Sequence, residues 1–207
     1  MAIGAAAAPH IYANRLLAAL GAFLLAVGIS AHALDELHGR PLGTKLTRPT
    51  LIALAAGGLI GAVAIGVAGA IVVSPLLVPL VLAGGLLVPA YNLELGGGRF
   101  HNDTWFALAW GGFPAFTGYF SGALTIRPAG ILVTAACCLL SAAQRQLSTP
   151  VLRLRRNTTE VNGQQQLRDG TVVELTRAGL SAPLEGALRS LWLGVVLLAV
   201  GLLAIRM

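Results

Sequence analysis

Long runs of apolar residues, separated by shorter polar segments, set the pattern of this chain. About 20 apolar residues in a helix cross the hydrocarbon core of a bilayer, so each run predicts a transmembrane helix. Small residues recur three and four positions apart within the runs, as over residues 57–70, and they let membrane helices approach closely. We therefore predict an all-α polytopic membrane protein with a bundle of about six transmembrane helices. The predicted spans are 16–34, 51–73, 76–91, 105–124, 128–143 and 191–205.

The composition excludes a soluble domain. Hydrophobic residues make up 56% of the 207 positions, charged residues make up 11%, and the mean hydropathy is +0.79. A soluble protein needs more polar residues than this to cover its surface. The N-terminus carries no basic stretch ahead of an apolar run, so we expect no cleavable signal peptide. Cys137 and Cys138 are adjacent within an apolar run, which favours packing over a disulfide or a metal site.

The charged residues are distributed unevenly between the two ends of the predicted bundle. Eleven of the fourteen basic residues, and all eight acidic ones, lie in or beside the loops 35–50, 92–104 and 144–190. Only Arg15, Arg127 and Arg206 lie at the other end. By the positive-inside rule the charged loops are cytoplasmic, and both termini lie on the opposite side of the cytoplasmic membrane. The net charge of +6 therefore reports topology, and we predict no nucleic-acid partner.

The longest polar segment predicts a small β structure. Asn162-Gly163 and Asp169-Gly170 favour tight hairpin turns, with alternating residues around them, so we predict a meander of two or three strands over 157–175. A helix capped by Ser181, with Pro183 near its first turn, is expected to follow and to enter the last span. The predicted organisation is a five-span bundle over 1–147, a cytoplasmic polar segment with hairpin and amphipathic helix over 148–188, and a final transmembrane helix over 189–207.

A first polar cluster, AHALDELHGRPLGT, directly follows the first apolar run at residues 31–44. If the helix continues through residue 36, His32, Asp35 and Glu36 share one face. Two carboxylates at a helix C-terminus oppose the helix dipole, and a bound Mg²⁺ would offset that cost. The alternative is that these are ordinary solvated charges beside the membrane, with Asp35 or Glu36 paired to Arg40.

A second polar cluster lies on the same predicted side, in the segment 91–120. Its loop offers polar groups around three glycines, which allow the backbone to approach a ligand. Arg99 is either a membrane anchor or a phosphate ligand, and Asp103 is a candidate cap for the next helix. For Trp105 and Trp110 we favour interfacial and packing roles.

Together, the two clusters resemble the UbiA superfamily of intramembrane prenyltransferases. In that family Asn-Asp-x-x-Asp-x-x-x-Asp ends a transmembrane helix and is often followed by Arg-Pro-Leu. Here HALDELHGRPL, residues 32–42, is in the equivalent place, with Asp35 matching the second aspartate. The family then has a Tyr-containing loop with a basic residue and a Gly-Phe-x-Pro-x-x-x-Gly-Tyr pattern, which Tyr91, Arg99 and residues 111–119 match. The resemblance covers roughly residues 15–145.

The chain departs from the family pattern in both acidic motifs. Ala31 and His32 stand in place of Asn-Asp, and Gly39 stands in place of the third aspartate. Where the family has a second aspartate-rich motif, this chain has SAAQRQLSTPVLRLRR, with four arginines and no carboxylate. Arginine forks match phosphate oxygens, so they could hold a diphosphate in place of a second metal.

The resemblance implies transfer of a prenyl group from a prenyl diphosphate to a lipophilic acceptor at the cytoplasmic membrane face. In that chemistry Mg²⁺ stabilises the leaving diphosphate. The candidate residues are Asp35 and Glu36 for catalysis and Mg²⁺, and His32, Arg40, Tyr91, Asn92, Arg99 and Arg145 for the diphosphate.

Two other functions are considered. The absent second acidic motif favours a catalytically degenerate UbiA-like protein that binds isoprenoid or membrane lipid, or that scaffolds a partner membrane enzyme. A small transporter would need an ionisable residue near the bilayer midplane, whereas the spans offer little beyond hydroxyls such as Thr117 and Thr134.

Overall fold

The computed structural model describes residues 1–41 and 43–206, and within them the chain is mostly helical. Leu42, the last residue of the Arg-Pro-Leu signature, and Met207 lie outside the described residues. The described helices are α1 (Ala2–Ala7), α2 (Ala13–His38), α3 (Arg48–Val72), α4 (Pro75–Asn92), α5 (residues 103–123), α6 (Pro128–Asn157) and α7 (Arg177–Arg206). The two strands are β1 (Gln164–Gln166) and β2 (Val172–Glu174).

Five of these helices, α2, α3, α4, α6 and α7, are long and apolar enough to cross a membrane. They support the predicted integral membrane protein. The fourth predicted span is also helical, as α5, but it is not one of the five. Four glycines, a proline and several hydroxyl side chains dilute the apolar residues over 103–123. Which side of the membrane each end faces remains a prediction.

Three of the described helices contain π-helical segments, and those in α2 and α5 lie at close contacts with a neighbouring helix, whereas the third, Arg153–Asn157, ends α6. In α2 the segment Leu24–Ala31 separates α-helical turns at Ala13–Phe23 and His32–His38, and it packs against α3. In α5 the segment Ala107–Gly112 packs against α6. Glycines make both approaches close: a Cβ on Gly58 would lie 2.7 Å from the Leu25 carbonyl oxygen, and one on Gly111 would strike the backbone of Cys137. The small residues thus act in helix packing, as predicted.

The packing order places α7 at the edge of the bundle. Helix α3 packs against α2 and α4, α2 also contacts α5, and α6 lies between α5 and α7. The short α1 packs on α5 and contacts α7. The Arg206 guanidinium donates hydrogen bonds to the carbonyl oxygens of Ala8 and Pro9, over 2.8 and 2.7 Å, and so joins the end of α7 to the end of α1.

The polar segment partly follows its prediction. Strands β1 and β2 pair antiparallel, with Gln164 opposite Glu174, and the turn contains Asp169-Gly170 as predicted. Asn162-Gly163 makes no hairpin turn; it precedes β1, and the described residues form no third strand.

The predicted helix that enters the last span is present, but the prediction that Ser181 caps it is wrong. Helix α7 begins at Arg177 and runs on as a single helix of 30 residues. Thr176 caps it, because its Oγ1 accepts a hydrogen bond from the Gly179 N–H over 3.0 Å. Ser181 is buried within the helix, and Pro183 lies inside it. The predicted boundaries at 147/148 and 188/189 accordingly fall inside α6 and α7.

Candidate functional site

The two polar clusters predicted from the sequence meet at one end of the bundle. Tyr91, at the end of α4, is 6% exposed, and its ring centroid lies 4.6 Å from that of His101 and 5.5 Å from that of Trp110. His101 Nδ1 lies 3.2 Å from the Tyr91 carbonyl oxygen, which holds the loop 93–102 against the helix. Asp35 is within electrostatic range of His101 and of Tyr91. The sequence prediction that these segments act together is therefore consistent with the packing.

An ion pair connects α5 and α6 beside this cluster. Arg145 Nε donates a hydrogen bond to Asp103 Oδ1 over 3.0 Å, and the guanidinium carbon lies 5.0 Å from the centre of the Phe106 ring. The sequence prediction that Asp103 caps α5 is wrong. Asn102 caps it instead, because its Oδ1 accepts a hydrogen bond from the Trp105 N–H over 3.0 Å. Asp103 is thereby free to pair with Arg145.

Glu36 is buried, away from solvent. Glu36 is only 1% exposed. Its side-chain Oε1 accepts hydrogen bonds from the Thr44 N–H over 2.6 Å and from the Thr44 hydroxyl over 2.9 Å. The loop after α2 thus folds back over the helix end and encloses Glu36. Asp35, one residue earlier, is only partly buried.

Two of the remaining predicted diphosphate ligands lie within hydrogen-bonding distance of backbone carbonyls, and the other two are exposed. His32 is exposed, and its Nδ1 lies 2.7 Å from the Val27 carbonyl oxygen. Asn92 is buried and donates a hydrogen bond to the Val88 carbonyl oxygen over 2.7 Å. Arg40 and Arg99 are exposed, and in the described part of the chain neither forms an ion pair.

The described residues do not present a metal site. Within residues 1–41 and 43–206 there is no group of three or more His, Cys, Asp or Glu side chains that could hold a metal ion. The two carboxylates proposed as ligands differ in environment, since Glu36 Oε1 accepts both Thr44 donors. The assignment of Mg²⁺ stays a prediction from the resemblance.

The structure also contains an apolar cavity that the sequence did not predict. Its volume is about 430 Å³, which lies within the roughly 300–1,000 Å³ common for ligand sites. Helices α2, α3, α4 and α5 form its wall, with alanine and glycine contributing much of the lining. Trp110 lines one end of the cavity and also contacts Tyr91 of the polar cluster. The cavity and the polar cluster are therefore neighbours.

The polar lining residues of the cavity lie at the end away from Trp110. Asn14 and Arg15 come from the first turn of α2, and Thr117 and Ser121 come from the last turns of α5. Arg15 Nη1 donates a hydrogen bond to the Ser121 carbonyl oxygen over 3.0 Å. The only sequence signal for this site was the density of small residues in the spans. From the sequence, Arg15 is only one of the basic residues used to predict membrane orientation.

Comparison with protein-family models, with curated proteins and with solved structures gives no match. The resemblance to UbiA prenyltransferases therefore rests on residues 31–42 and 91–119 alone.

Proposed function

We propose that this protein binds a long-chain isoprenoid or lipid within the membrane. The cavity between α2, α3, α4 and α5 carries this proposal. Its lining is mostly apolar, and three of the four helices that form it, α2, α3 and α4, are long and apolar enough to span a bilayer. A flexible hydrocarbon chain is the ligand that this lining complements, because a polar ligand would leave its own groups without hydrogen bonds there.

The source of the affinity follows from the surroundings of the cavity. A hydrocarbon chain that leaves lipid for an apolar cavity exchanges one apolar environment for another, so burial alone gives little free energy. Close packing against the wall and any polar contact of the headgroup must supply the rest. Loss of cavity space should therefore weaken binding directly.

The experiment compares two alanines on the same helix. Ala62 lines the cavity, whereas Ala64 is exposed on the outside of α3. Tritiated geranylgeraniol is titrated into the purified protein in nanodiscs. The substitution Ala62→Leu should fill part of the cavity. An overpacking cost of about 1–3 kcal/mol corresponds to a loss of about 5- to 150-fold in affinity for geranylgeraniol. The control substitution Ala64→Leu should leave the affinity for geranylgeraniol unchanged. Equal affinities in both variants, or no binding to the folded protein, would reject the proposal.

A second candidate is prenyl transfer of the UbiA type. It is favoured by the packing of Asp35, Tyr91, His101 and the Arg145–Asp103 pair at one end of the bundle, beside Trp110 of the cavity. An anion held there would lie near the end of a chain in the cavity. In this hypothesis Asp35 and Arg145 contact the prenyl diphosphate, and the acceptor enters from the membrane.

Transfer is tested with labelled geranylgeranyl diphosphate, a lipid extract as the source of acceptors, and Mg²⁺. A labelled lipid product that depends on the protein and is lost in Asp35→Asn would support transfer. Full turnover in Asp35→Asn, or tight chain binding with no product, would leave the binding function as the better account.

A further inference from the structure

The cavity has one polar end, and that end is cationic. Arg15 carries the only charged side chain among the described residues that line the cavity. The other end, by contrast, is lined by Val27, Val88 and Trp110. A ligand with a charged head and a hydrocarbon tail would therefore have a defined orientation in this site.

Arg15 has hydrogen-bonding capacity to spare. Its guanidinium has five N–H donors, and the structure assigns one of them to the Ser121 carbonyl oxygen. The guanidinium carbon lies 3.9 Å from the centre of the Tyr12 ring, so the ring supports the cation without neutralising it. In the described part of the chain no carboxylate lies within 4.0 Å of it. The planar guanidinium is suited to binding the oxygens of a phosphate or carboxylate.

Thr117 also lines this end of the cavity, one helical turn before Ser121, but its Oγ1 is enclosed by protein atoms and is therefore not assigned to the ligand.

The charge around this end favours an anion over a zwitterion. The basic residues at this end of the bundle are Arg15, Arg127 and Arg206, and all eight acidic residues belong to the opposite end or to the segment beyond it. A positive headgroup in the cavity would be repelled by Arg15, whereas an anionic headgroup would be attracted to it, and low-dielectric surroundings strengthen that attraction.

We propose that the cavity binds an anionic amphiphile with a single hydrocarbon chain, its oxyanion head at Arg15 and its tail towards Trp110. The inference rests on the proposed binding function and adds the headgroup class and the orientation. Arg15 and Val27 are twelve residues apart on α2, a rise of about 18 Å, so the site accommodates a medium-length or partly folded long chain. The orientation is opposite to the one implied by the UbiA resemblance, in which the diphosphate lies near Asp35.

The headgroup is tested by comparing anions with their neutral alcohols. Wild type, Arg15→Gln and the control Arg127→Gln are titrated in nanodiscs with oleate, oleyl alcohol, farnesyl monophosphate and farnesol. Arg127 is exposed and lies at the same end of the bundle without lining the cavity. In Arg15→Gln the anions lose a hydrogen bond to a charged group, which is worth about 1.5–3 kcal/mol, so their affinity should fall about 10- to 160-fold. The affinity for the alcohols should change little. The ratio of the affinities of oleate and oleyl alcohol, compared with the same ratio for farnesyl monophosphate and farnesol, identifies carboxylate or phosphate as the preferred head.

Three outcomes separate this inference from the proposed function. Selective loss of the anions in Arg15→Gln, with Arg127→Gln unaffected, supports it. Equal binding of anions and alcohols to wild type overturns the headgroup assignment and leaves chain binding intact. Failure of all four ligands to bind, together with failure of geranylgeraniol, overturns both.

The orientation is tested without any change at Arg15, so a folding defect of that variant does not matter. Trp105 and Trp192 are replaced by Phe, which leaves Trp110 as the only fluorophore of its type. Hexadecanoic acid brominated at its terminal carbon should quench Trp110 strongly, whereas the 2-bromo acid should quench it weakly. Stronger quenching by the 2-bromo acid would place the head beside Trp110 and overturn the orientation.

Discussion

Two adjacent glycines in α3 give the sharpest test of the packing between α2 and α3. At Gly58 an added Cβ would lie 2.7 Å from the Leu25 carbonyl oxygen and 3.1 Å from the Ser30 backbone nitrogen, both in the π-helical segment of α2. At Gly57 an added Cβ has nothing within 4 Å. Alanine is thus blocked by backbone at one position and unopposed at the next.

The paired substitution isolates the packing energy. Both variants gain the same helix propensity, about 0.5–1 kcal/mol for Gly to Ala in a helix interior, so this contribution cancels in the comparison. Overpacking at Gly58 costs about 1–3 kcal/mol, because the backbone of α2 has to move. We expect Gly57→Ala to be as stable as wild type or slightly more stable, and Gly58→Ala to be less stable than Gly57→Ala by about 1–3 kcal/mol.

The assay is reversible unfolding in mixed micelles with increasing sodium dodecyl sulfate, followed by circular dichroism and tryptophan fluorescence. Free energies of unfolding are compared at one micelle composition. If the two variants were equally stable, the close approach of α2 and α3 would be refuted. If Gly57→Ala were the less stable of the two, the assignment of faces on α3 would be refuted as well.

Three further predictions concern single contacts. Thr44→Val should lower the unfolding free energy by about 1.5–3 kcal/mol, because Glu36 loses a hydroxyl donor, and the same titration should find Thr44→Ser close to wild type. Arg206→Gln removes two hydrogen bonds to carbonyls at the end of α1, so limited proteolysis should cleave the N-terminal segment faster than in wild type. The Thr171 N–H lowers the pKa of Asp169 below its usual 3.8, so the turn is held firmly above pH 3.8 and loosens as the pH falls through the lowered value. A nuclear magnetic resonance titration of the Thr171 amide should follow that pKa.

The helices could be predicted because hydropathy acts locally. Five of the six apolar runs predicted as spans lie in helices that are long and apolar enough to cross a membrane, and no knowledge of their neighbours was needed to predict them. The ends of α6 and α7 could not be predicted in this way. Both helices continue through a proline, Pro150 in α6 and Pro183 in α7, although proline donates no backbone hydrogen bond and the composition changes from apolar to polar near those residues. Composition therefore located the apolar part of each helix but not the ends of the helix.

The details of the candidate site depend on contacts between distant segments. The sequence placed Asp35 and Glu36 side by side, and no local rule says that Thr44 folds back to bury one of them. It also indicated close helix packing over 57–70, but a cavity is the space left between four helices, and its shape depends on every crossing angle. Arg15 looked like a topology charge because its partner, Ser121, is more than one hundred residues away.

The charges at the two ends of the bundle differ in how far they are already neutralised. At the charge-rich end, Arg145 is paired with Asp103. The exposed Arg40 and Arg99 face water, where salt screens their attraction for an anion. Arg15, by contrast, is partly buried, has no carboxylate partner among the described residues and adjoins a cavity. Because an unneutralised cation in apolar surroundings gains most from an anion, the Arg15 end is the stronger candidate for the headgroup, and the bromine quenching of Trp110 decides between the two ends.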